Sequence, residues 1–199
     1  LSNTPIGEAH LDFQRNIKRL SEQGIILAIS SKNDKVNVDK ALAQRQDMLL
    51  KADDFSVIIA NWEQKRNAIS KISHLLNIGA DSLVFVDDSA FEREEVKQQF
   101  PHLVVIDPGT DPAEYVTALL QGNHFCQLEL NPEDFKRINS YRTEAKRQVI
   151  KNESQSIEDF LNQLQLKLAL FSPKSQDISR ISQLSLRTNQ FNMTTQRMS

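Results

Sequence analysis

Two adjacent carboxylates, Asp87 and Asp88, directly follow the apolar segment 83–86. Neighbouring carboxylates repel each other and are costly to desolvate, whereas a divalent cation that neutralises both makes the arrangement favourable. In an open α/β sheet, the carboxyl ends of the strands are also where ligands bind. The pair therefore favours a cation site at a strand tip, and the alternative is a solvated turn or a helix N-cap, where Asp is common.

Polar side chains also follow two other apolar segments of the chain. The first of these segments runs into Ser31, Lys32 and Asn33. A hydroxyl and successive backbone N–H groups at such a tip make a phosphate cradle, although Ser and Asn also favour ordinary turns. Lys65 lies at the start of the helix that follows the second segment. A cation there is electrostatically unfavourable without an anionic partner, unless the side chain is simply exposed.

These groups would form a single site if they met at one edge of one sheet. Ser31 supplies phosphate hydrogen bonding, Lys65 supplies charge neutralisation, and Asp87 with Asp88 supplies a Mg²⁺ site. Phosphoryl transfer requires all three contributions. The combination is more specific than any of its members, so the sequence predicts a phosphoryl-transfer site.

The elements that must position these residues alternate between strand and helix. Predicted strands cover 25–29, 55–60, 83–86 and 103–106, and predicted helices between and around them cover 8–23, 63–77, 91–99 and 112–120. The strands are short, nearly continuous apolar runs, as in a buried parallel sheet. Short links between alternating strands and helices predict an α/β fold, a parallel sheet with helices on both faces, over residues 1–123.

The pattern changes after Gly122. Residues 124–165 are predicted to be a helical linker, with one long helix from residue 131 and a second over 156–164. Residues 166–199 are predicted to begin a second α/β domain, with a strand at 166–171 and a helix at 178–186.

Composition excludes several classes of protein. Charged residues make up 25% of the chain and the formal net charge is -2, so no basic field indicates a nucleic-acid partner. The single Cys126 excludes an internal disulfide and fits a reducing compartment. No apolar run reaches the roughly 18 residues that predict a membrane span. The sequence therefore predicts a cytoplasmic protein without a membrane partner.

Four segments resemble a known family. They read GEAHLDFQRNIKRLSEQGIILAISSKND, NWEQK, LNIGADSLVFVDDSAFERE and RTNQFNMTTQR. The order and context of the polar residues resemble the haloacid-dehalogenase (HAD) superfamily of phosphatases. The strings themselves are most similar to its FkbH-like branch, the subfamily IIIC phosphatase-type domains of polyketide pathways.

The resemblance implies a Rossmann-like HAD core, then a linker and an acyltransferase-like domain. Ser31 resembles the second HAD motif, Lys65 the third, and Asp87 with Asp88 the Mg²⁺-binding fourth. FkbH-like proteins are associated with dephosphorylating a phosphorylated three-carbon donor of the phosphoglycerate type. They load the glyceryl group onto an acyl carrier protein, which is therefore the expected partner.

One departure from the family pattern concerns the nucleophile. HAD enzymes form an aspartyl phosphate on a strand that ends in hhhDxDx(T/V), and this chain does not contain that motif. The motif belongs upstream of Gly7, and its strand is the central one of the sheet. The chain is therefore expected to be a fragment, or the product of a disrupted gene. The alternative function is an inactive remnant that binds phosphate or a carrier protein without turnover.

Two neighbours of the motifs are interpreted as structural residues. Trp62 is expected to pack beside Lys65, and the alternative is that it stacks on a substrate. Glu92 is expected in the first turn of the helix after Asp88, where an acid favours the helix dipole. A supporting role for Glu92 beside Mg²⁺ is the alternative, since outer-shell partners are common at metal sites.

Overall fold

The computed structural model describes residues 4–125, 140–141, 143–145, 147–151, 154, 156–167, 169–170, 172–179 and 181–182. The chain divides into two compact units, residues 1–160 and residues 161–199. Cys126, the predicted start of the linker helix at residue 131 and the string RTNQFNMTTQR lie outside the described residues.

Strands and helices alternate through the described part of the first unit. The elements are α1 (Pro5–Glu22), β1 (Leu27–Ser31), α2 (Lys35–Gln44), β2 (Phe55–Ala60), α3 (Lys65–Leu76), β3 (Val84–Val86), α4 (Ala90–Gln99), β4 (Val104–Ile106) and α5 (Tyr115–Leu120). Single 3₁₀ turns cover Ala52–Asp54, Ala80–Ser82 and Pro112–Glu114. In the linker region, residues 140–141, 143–145 and 147–151 are helical, and α6 spans Ile157–Gln163. Each helix within the described ranges is too short or too polar to cross a bilayer.

Local chemistry explains where the main helices begin and end. Pro5 occupies the first helical position of α1, and Thr4 caps the helix by accepting a hydrogen bond from the Gly7 N–H at 3.0 Å. At the C-terminal end of α3, Asn77 adopts a left-handed conformation with φ 52°. Asn tolerates this conformation better than most residues, so it ends the helix and turns the chain toward β3.

The four strands form two parallel pairs, which confirms the predicted α/β class with parallel strands. In the first pair, Ser31 of β1 lies opposite Ala60 of β2. In the second, Phe85 of β3 lies opposite Val105 of β4. The sequence predicts one sheet that lacks its central strand, whereas the described strands form two separate sheets. β1 and β3 each use one edge for pairing and share no ladder with each other.

The β3–β4 pair is covered on both faces, as predicted. Phe85 packs with Ile69 of α3 and Val96 of α4. The neighbouring positions Val84 and Val86 instead pack in a cluster formed by side chains of α1, β4 and α5, which are Leu20, Ile106 and Leu119. Successive residues of a strand point to opposite faces, so α3 and α4 cover one face and α1 with α5 the other.

Helix α3 belongs to the cores of both strand pairs. Val57 and Ile59 of β2 pack against Ile72 and other buried residues of α3, which are Ala68, Leu75 and Leu76. Ile69 of the same helix packs in the β3–β4 cluster. A buried core residue restricts the elements on all sides of it, so α3 fixes each strand pair relative to the other.

The predicted strands at 83–86 and 103–106 each begin one residue before β3 and β4, and two other predicted strands differ more from the observed structure. β1 begins at Leu27 instead of residue 25, because the Ile25 N–H closes the end of α1 on the Leu20 carbonyl at 3.1 Å. Residues 166, 167, 169 and 170 are not in a strand, so the strand predicted at 166–171 is wrong at these positions. Leu166 and Leu170 are largely exposed, and a strand needs a neighbour to satisfy its backbone.

Candidate functional site

The side chain of Lys65 joins the tips of β1 and β3. Lys65 is the first residue of α3, and its side chain is only 10% exposed. Its Nζ donates a hydrogen bond to the Ser30 carbonyl oxygen at 2.5 Å and lies 3.2 Å from Oδ2 of Asp87. The anionic partner that a lysine at a helix N-terminus requires is therefore Asp87.

The geometry of β1 shows on which edge this contact lies. The Ser31 carbonyl accepts a hydrogen bond from the Asn61 N–H at 3.1 Å, so Ser31 bonds toward β2. In a parallel strand, successive residues bond to opposite sides. The Ser30 carbonyl therefore points away from β2, and Lys65 lies at the edge of β1 that no described strand pairs.

Both carboxylate oxygens of Asp87 have partners, whereas Asp88 is exposed. Oδ1 of Asp87 accepts a hydrogen bond from the Ser89 N–H at 2.9 Å while Oδ2 faces Lys65. The described residues contain no cluster of three or more His, Cys, Asp or Glu side chains that could hold a metal ion. Two carboxylates nevertheless suit Mg²⁺, which is usually held by one or two carboxylates, several waters and phosphate oxygens of a substrate.

Lys32 forms a second ion pair across the same edge, with Glu92. Glu92 lies in the first turn of α4, as predicted, and its N–H is capped by Oγ of Ser89 at 3.4 Å. Glu92 is a buried residue, and its Oε2 has no described hydrogen-bond partner. The carboxylate thus faces the loop after β1, in addition to being favourably placed on the helix dipole.

The remaining residue of the predicted phosphate cradle is engaged with α2. Oδ1 of Asn33 accepts hydrogen bonds from the Asp34 N–H at 2.8 Å and from Nδ2 of Asn37 at 3.2 Å. Ser31 is the last residue of β1 instead of part of the turn. The structure therefore brings Ser31, Lys32 and Lys65 to one edge, with the amide of Asn33 turned toward the start of α2.

The expectation that Trp62 packs beside Lys65 is wrong. Trp62 is 70% exposed, and its indole N–H donates a hydrogen bond to Oδ1 of Asp34 at 2.9 Å. The hydrogen bond to the N-cap residue of α2 determines where the indole N–H points.

Arg93 is a residue of this site that sequence reasoning missed. Its Nη1 donates to the main-chain oxygen of Asp87 at 2.9 Å, and its Nη2 pairs with Asp107, which follows β4. The side chain is only 11% exposed. A cation in the first turn of a helix is unfavourable, and the same reasoning that singled out Lys65 would have found Arg93.

Comparison with known proteins gives one structural relative. No protein-family model and no curated protein sequence matches the chain. The relative is the N-terminal part of the protein BF1531 from Bacteroides fragilis, a crystal structure containing a phosphatase domain complexed with Mg. It is 38% identical, has a TM-score of 0.63 and covers 65% of this chain.

The match spans 34% of the relative's chain. The relative is 38% identical and contains a phosphatase domain, which agrees with the resemblance of the sequence to HAD-type phosphatase domains.

Proposed function

We propose that this chain forms the phosphoryl-binding core of a Mg²⁺-dependent phosphatase of the HAD type. Lys65 and Ser31 hold the transferring phosphoryl group, with Lys32 and Asn33 at its border. Asp87 and Asp88 hold the metal ion, which would neutralise developing charge on the phosphoryl oxygens. The Mg-complexed phosphatase domain of the Bacteroides relative supports this assignment.

One observation carries the proposal: a nearly buried ammonium group lies between a strand-tip carbonyl and a carboxylate. Nζ of Lys65 contacts both the Ser30 oxygen and Oδ2 of Asp87. Desolvating a charge is costly, so a purely structural role would be served as well by an apolar pair. A lysine held between two strand tips instead supplies a fixed positive charge where an anion can bind.

The nucleophile in this proposal is an aspartate on a further strand of the hhhDxDx(T/V) type. Its place would be between β1 and β3, each of which has an edge without a described strand partner. An aspartate at the end of such a strand would lie beside Lys65. A polypeptide that combines this strand with the present chain is then the hydrolytic unit, and the present chain alone binds without turnover.

The finer assignment follows the FkbH-like resemblance. In it, the donor is a phosphoglycerate-type molecule, and the glyceryl group passes to an acyl carrier protein in polyketide biosynthesis. The strings that begin at Gly7 and Asn61 support this assignment, since they contain the strand-tip residues of the site. The second candidate is a phosphate- or carrier-protein-binding module without catalysis, for which the nearly buried Lys65 would still provide the positive charge that binds an anion.

Calorimetric titration of this chain with inorganic phosphate, with and without Mg²⁺, tests the proposal. We expect phosphate to bind only when Mg²⁺ is present. Lys65→Met removes a charge-assisted contact and should weaken binding about tenfold or more. Asp87→Asn removes a proposed metal ligand and should abolish the phosphate binding that Mg²⁺ induces.

Lys71→Met is the matched control, because Lys71 is an exposed lysine on the same helix. Phosphate affinity that is equal in Lys65→Met and Lys71→Met would overturn the proposal. Mass spectrometry separates the two candidates: a phosphoenzyme in the polypeptide with the added strand supports the hydrolytic unit, and its absence supports the binding module.

A further inference from the structure

The ion pair between Lys32 and Glu92 joins the loop after β1 to the first turn of α4. The Glu92 side chain is only 9% exposed, whereas the Lys32 side chain is 32% exposed and can be reached by a ligand. Oε1 of Glu92 contacts Nζ of Lys32, and Oε2 is buried without a hydrogen-bond partner among the described residues. A buried pair with one unsatisfied oxygen stabilises a fold poorly, because desolvating that oxygen costs free energy. The pair therefore points to a role other than stability.

On the side of α4, hydrogen bonds connect Glu92 to the proposed metal ligand Asp87. Oγ of Ser89 accepts a hydrogen bond from the Glu92 N–H at 3.4 Å. The N–H of the same Ser89 donates to Oδ1 of Asp87 at 2.9 Å, and Oδ2 of Asp87 faces Lys65. A single residue, Ser89, thus positions the backbone of Glu92 and one oxygen of Asp87.

On the side of β1, the chain itself connects Lys32 to Lys65. The Ser30 carbonyl oxygen accepts a hydrogen bond from Nζ of Lys65 at 2.5 Å. Lys32 lies two residues after Ser30, and two residues of an extended chain span at most about 7 Å. The backbone of Lys32 is therefore a close neighbour of the Lys65 ammonium group, so both lysines belong to one site.

We propose that Glu92 is a positioning residue of this site, which holds the ammonium group of Lys32 where a bound phosphoryl group accepts a hydrogen bond from it. This inference rests on the proposed function, in which Lys32 borders the phosphoryl group. An ammonium group has three N–H donors. The contact with Oε1 of Glu92 occupies one of them, so two remain for an anion.

Glu92 acts on phosphate binding in two opposite ways. A lysine side chain has many rotamers, and ordering it on a ligand opposes binding. Glu92 orders Lys32 before the ligand arrives, which removes that cost from the binding step. The negative charge of Glu92, in contrast, repels a bound phosphate. The two effects can be separated by variants that remove the charge and differ only in whether they hold Lys32.

Glu92→Gln and Glu92→Met form such a pair of variants. Both side chains are neutral and similar in length, but only the glutamine oxygen accepts a hydrogen bond from Lys32. Inorganic phosphate is titrated calorimetrically into the full chain in the presence of Mg²⁺. We expect Glu92→Gln to bind phosphate about threefold to tenfold more tightly than Glu92→Met, because only the former orders Lys32.

A Lys32→Met background distinguishes a positioning role from a merely structural one. If Glu92 acts through Lys32, then Glu92→Gln and Glu92→Met should have equal phosphate affinities in this background. Glu94→Met is the matched control, because Glu94 is an exposed glutamate on the same helix, and it should leave the phosphate affinity unchanged.

NMR relaxation of the lysine side chains gives a second measurement, which uses the wild-type protein and no variant that could fail to fold. The ε-methylene group of Lys32 should be more restricted than that of the exposed Lys71 before any phosphate is added. Equal mobility of the two groups would contradict the positioning role.

The outcomes of the titrations separate this inference from the proposed function. Equal affinities of Glu92→Gln and Glu92→Met, or a difference that persists in the Lys32→Met background, overturn the role of Glu92 alone, provided that wild type binds phosphate. Failure of wild type to bind phosphate in Mg²⁺ overturns the proposed function and this inference with it.

Discussion

The two strand pairs contribute charges of opposite sign to the same edge of the molecule. The first half, β1, α2, β2 and α3, supplies cations, and the second half, β3, α4 and β4, supplies anions. The described ion pairs between the halves are Lys32–Glu92, Lys65–Asp87 at 3.2 Å and Arg66–Glu95 at 3.7 Å. A phosphoryl group and a metal ion carry the complementary charges. In the proposed function, the first half would recognise the phosphate and the second half the metal.

The halves also differ in how completely they are packed. Helices cover both faces of β3 and β4, and Val96 of α4 is fully buried in the cluster on one of these faces. β1 is less well covered, and its second residue, Ala28, is exposed. The carboxylates therefore belong to the better packed half. The positions of the cations in the first half depend more on their ion pairs.

Lys65→Met is expected to have the largest effect on stability. Removing the ammonium leaves the Asp87 carboxylate, whose side chain is 10% exposed, without its cationic partner. Breaking a buried ion pair from one side costs about 4 kcal/mol of unfolding free energy. Urea unfolding measures this loss, and the double variant Lys65→Met/Asp87→Asn should recover much of it.

An exposed lysine pair provides the comparison for that result. Lys35 pairs with Asp39 on the surface of α2 at 2.8 Å, with both side chains at least half exposed. Lys35→Met should cost only about 0.3–0.5 kcal/mol, as exposed helical pairs do. Similar losses in Lys35→Met and Lys65→Met would mean that the contact between the halves does not stabilise the fold.

Arg93→Gln should have an intermediate effect, confined to the second half. The variant loses the hydrogen bond to the Asp87 carbonyl and the ion pair with Asp107. A hydrogen bond from a charged group typically contributes about 1.5 kcal/mol or more. Urea unfolding gives the loss of unfolding free energy, and the backbone amide NMR signals of Asp87 and Asp88 report on the position of the carboxylates.

Arg93→Lys is the control and should restore the stability only in part, because lysine lacks the planar guanidinium group that makes both contacts. An unchanged amide spectrum in Arg93→Gln would contradict the role of Arg93 in positioning Asp87.

Much of the fold follows from local sequence patterns. The second strand was predicted with its observed bounds, because Phe55–Ala60 is a short apolar run with polar residues on both sides. The start of β1 could not be predicted from hydrophobicity, because Ile25 is as apolar as the strand but closes α1. The separation into two strand pairs depends on long-range pairing, which periodicity does not contain.

The candidate site could be predicted where a residue type conflicted with its local setting. Lys65 stood out as a cation at a helix start, and the structure supplies Asp87 as its partner. Trp62 could not be placed in this way, because an aromatic residue after a strand is compatible with a buried or an exposed position. Its exposure depends on the length of the loop and on the distant Asp34, which the linear pattern does not relate to it.

Asp47→Asn should have the smallest effect, because the Arg45–Asp47 pair lies within one exposed loop of the first half. The Arg45 side chain donates to the Asp47 carboxylate and holds its pKa below the usual value. A carboxyl group whose pKa is lower in the folded state stabilises the fold above its unfolded pKa of about 3.9. That contribution is lost as the pH falls through the folded pKa. Melting temperatures of wild type and Asp47→Asn should therefore differ slightly at pH 6 and converge in strong acid. If Asp47→Asn lowers the stability as much as Lys65→Met does, then burial between the two halves does not determine how much an ion pair stabilises this protein.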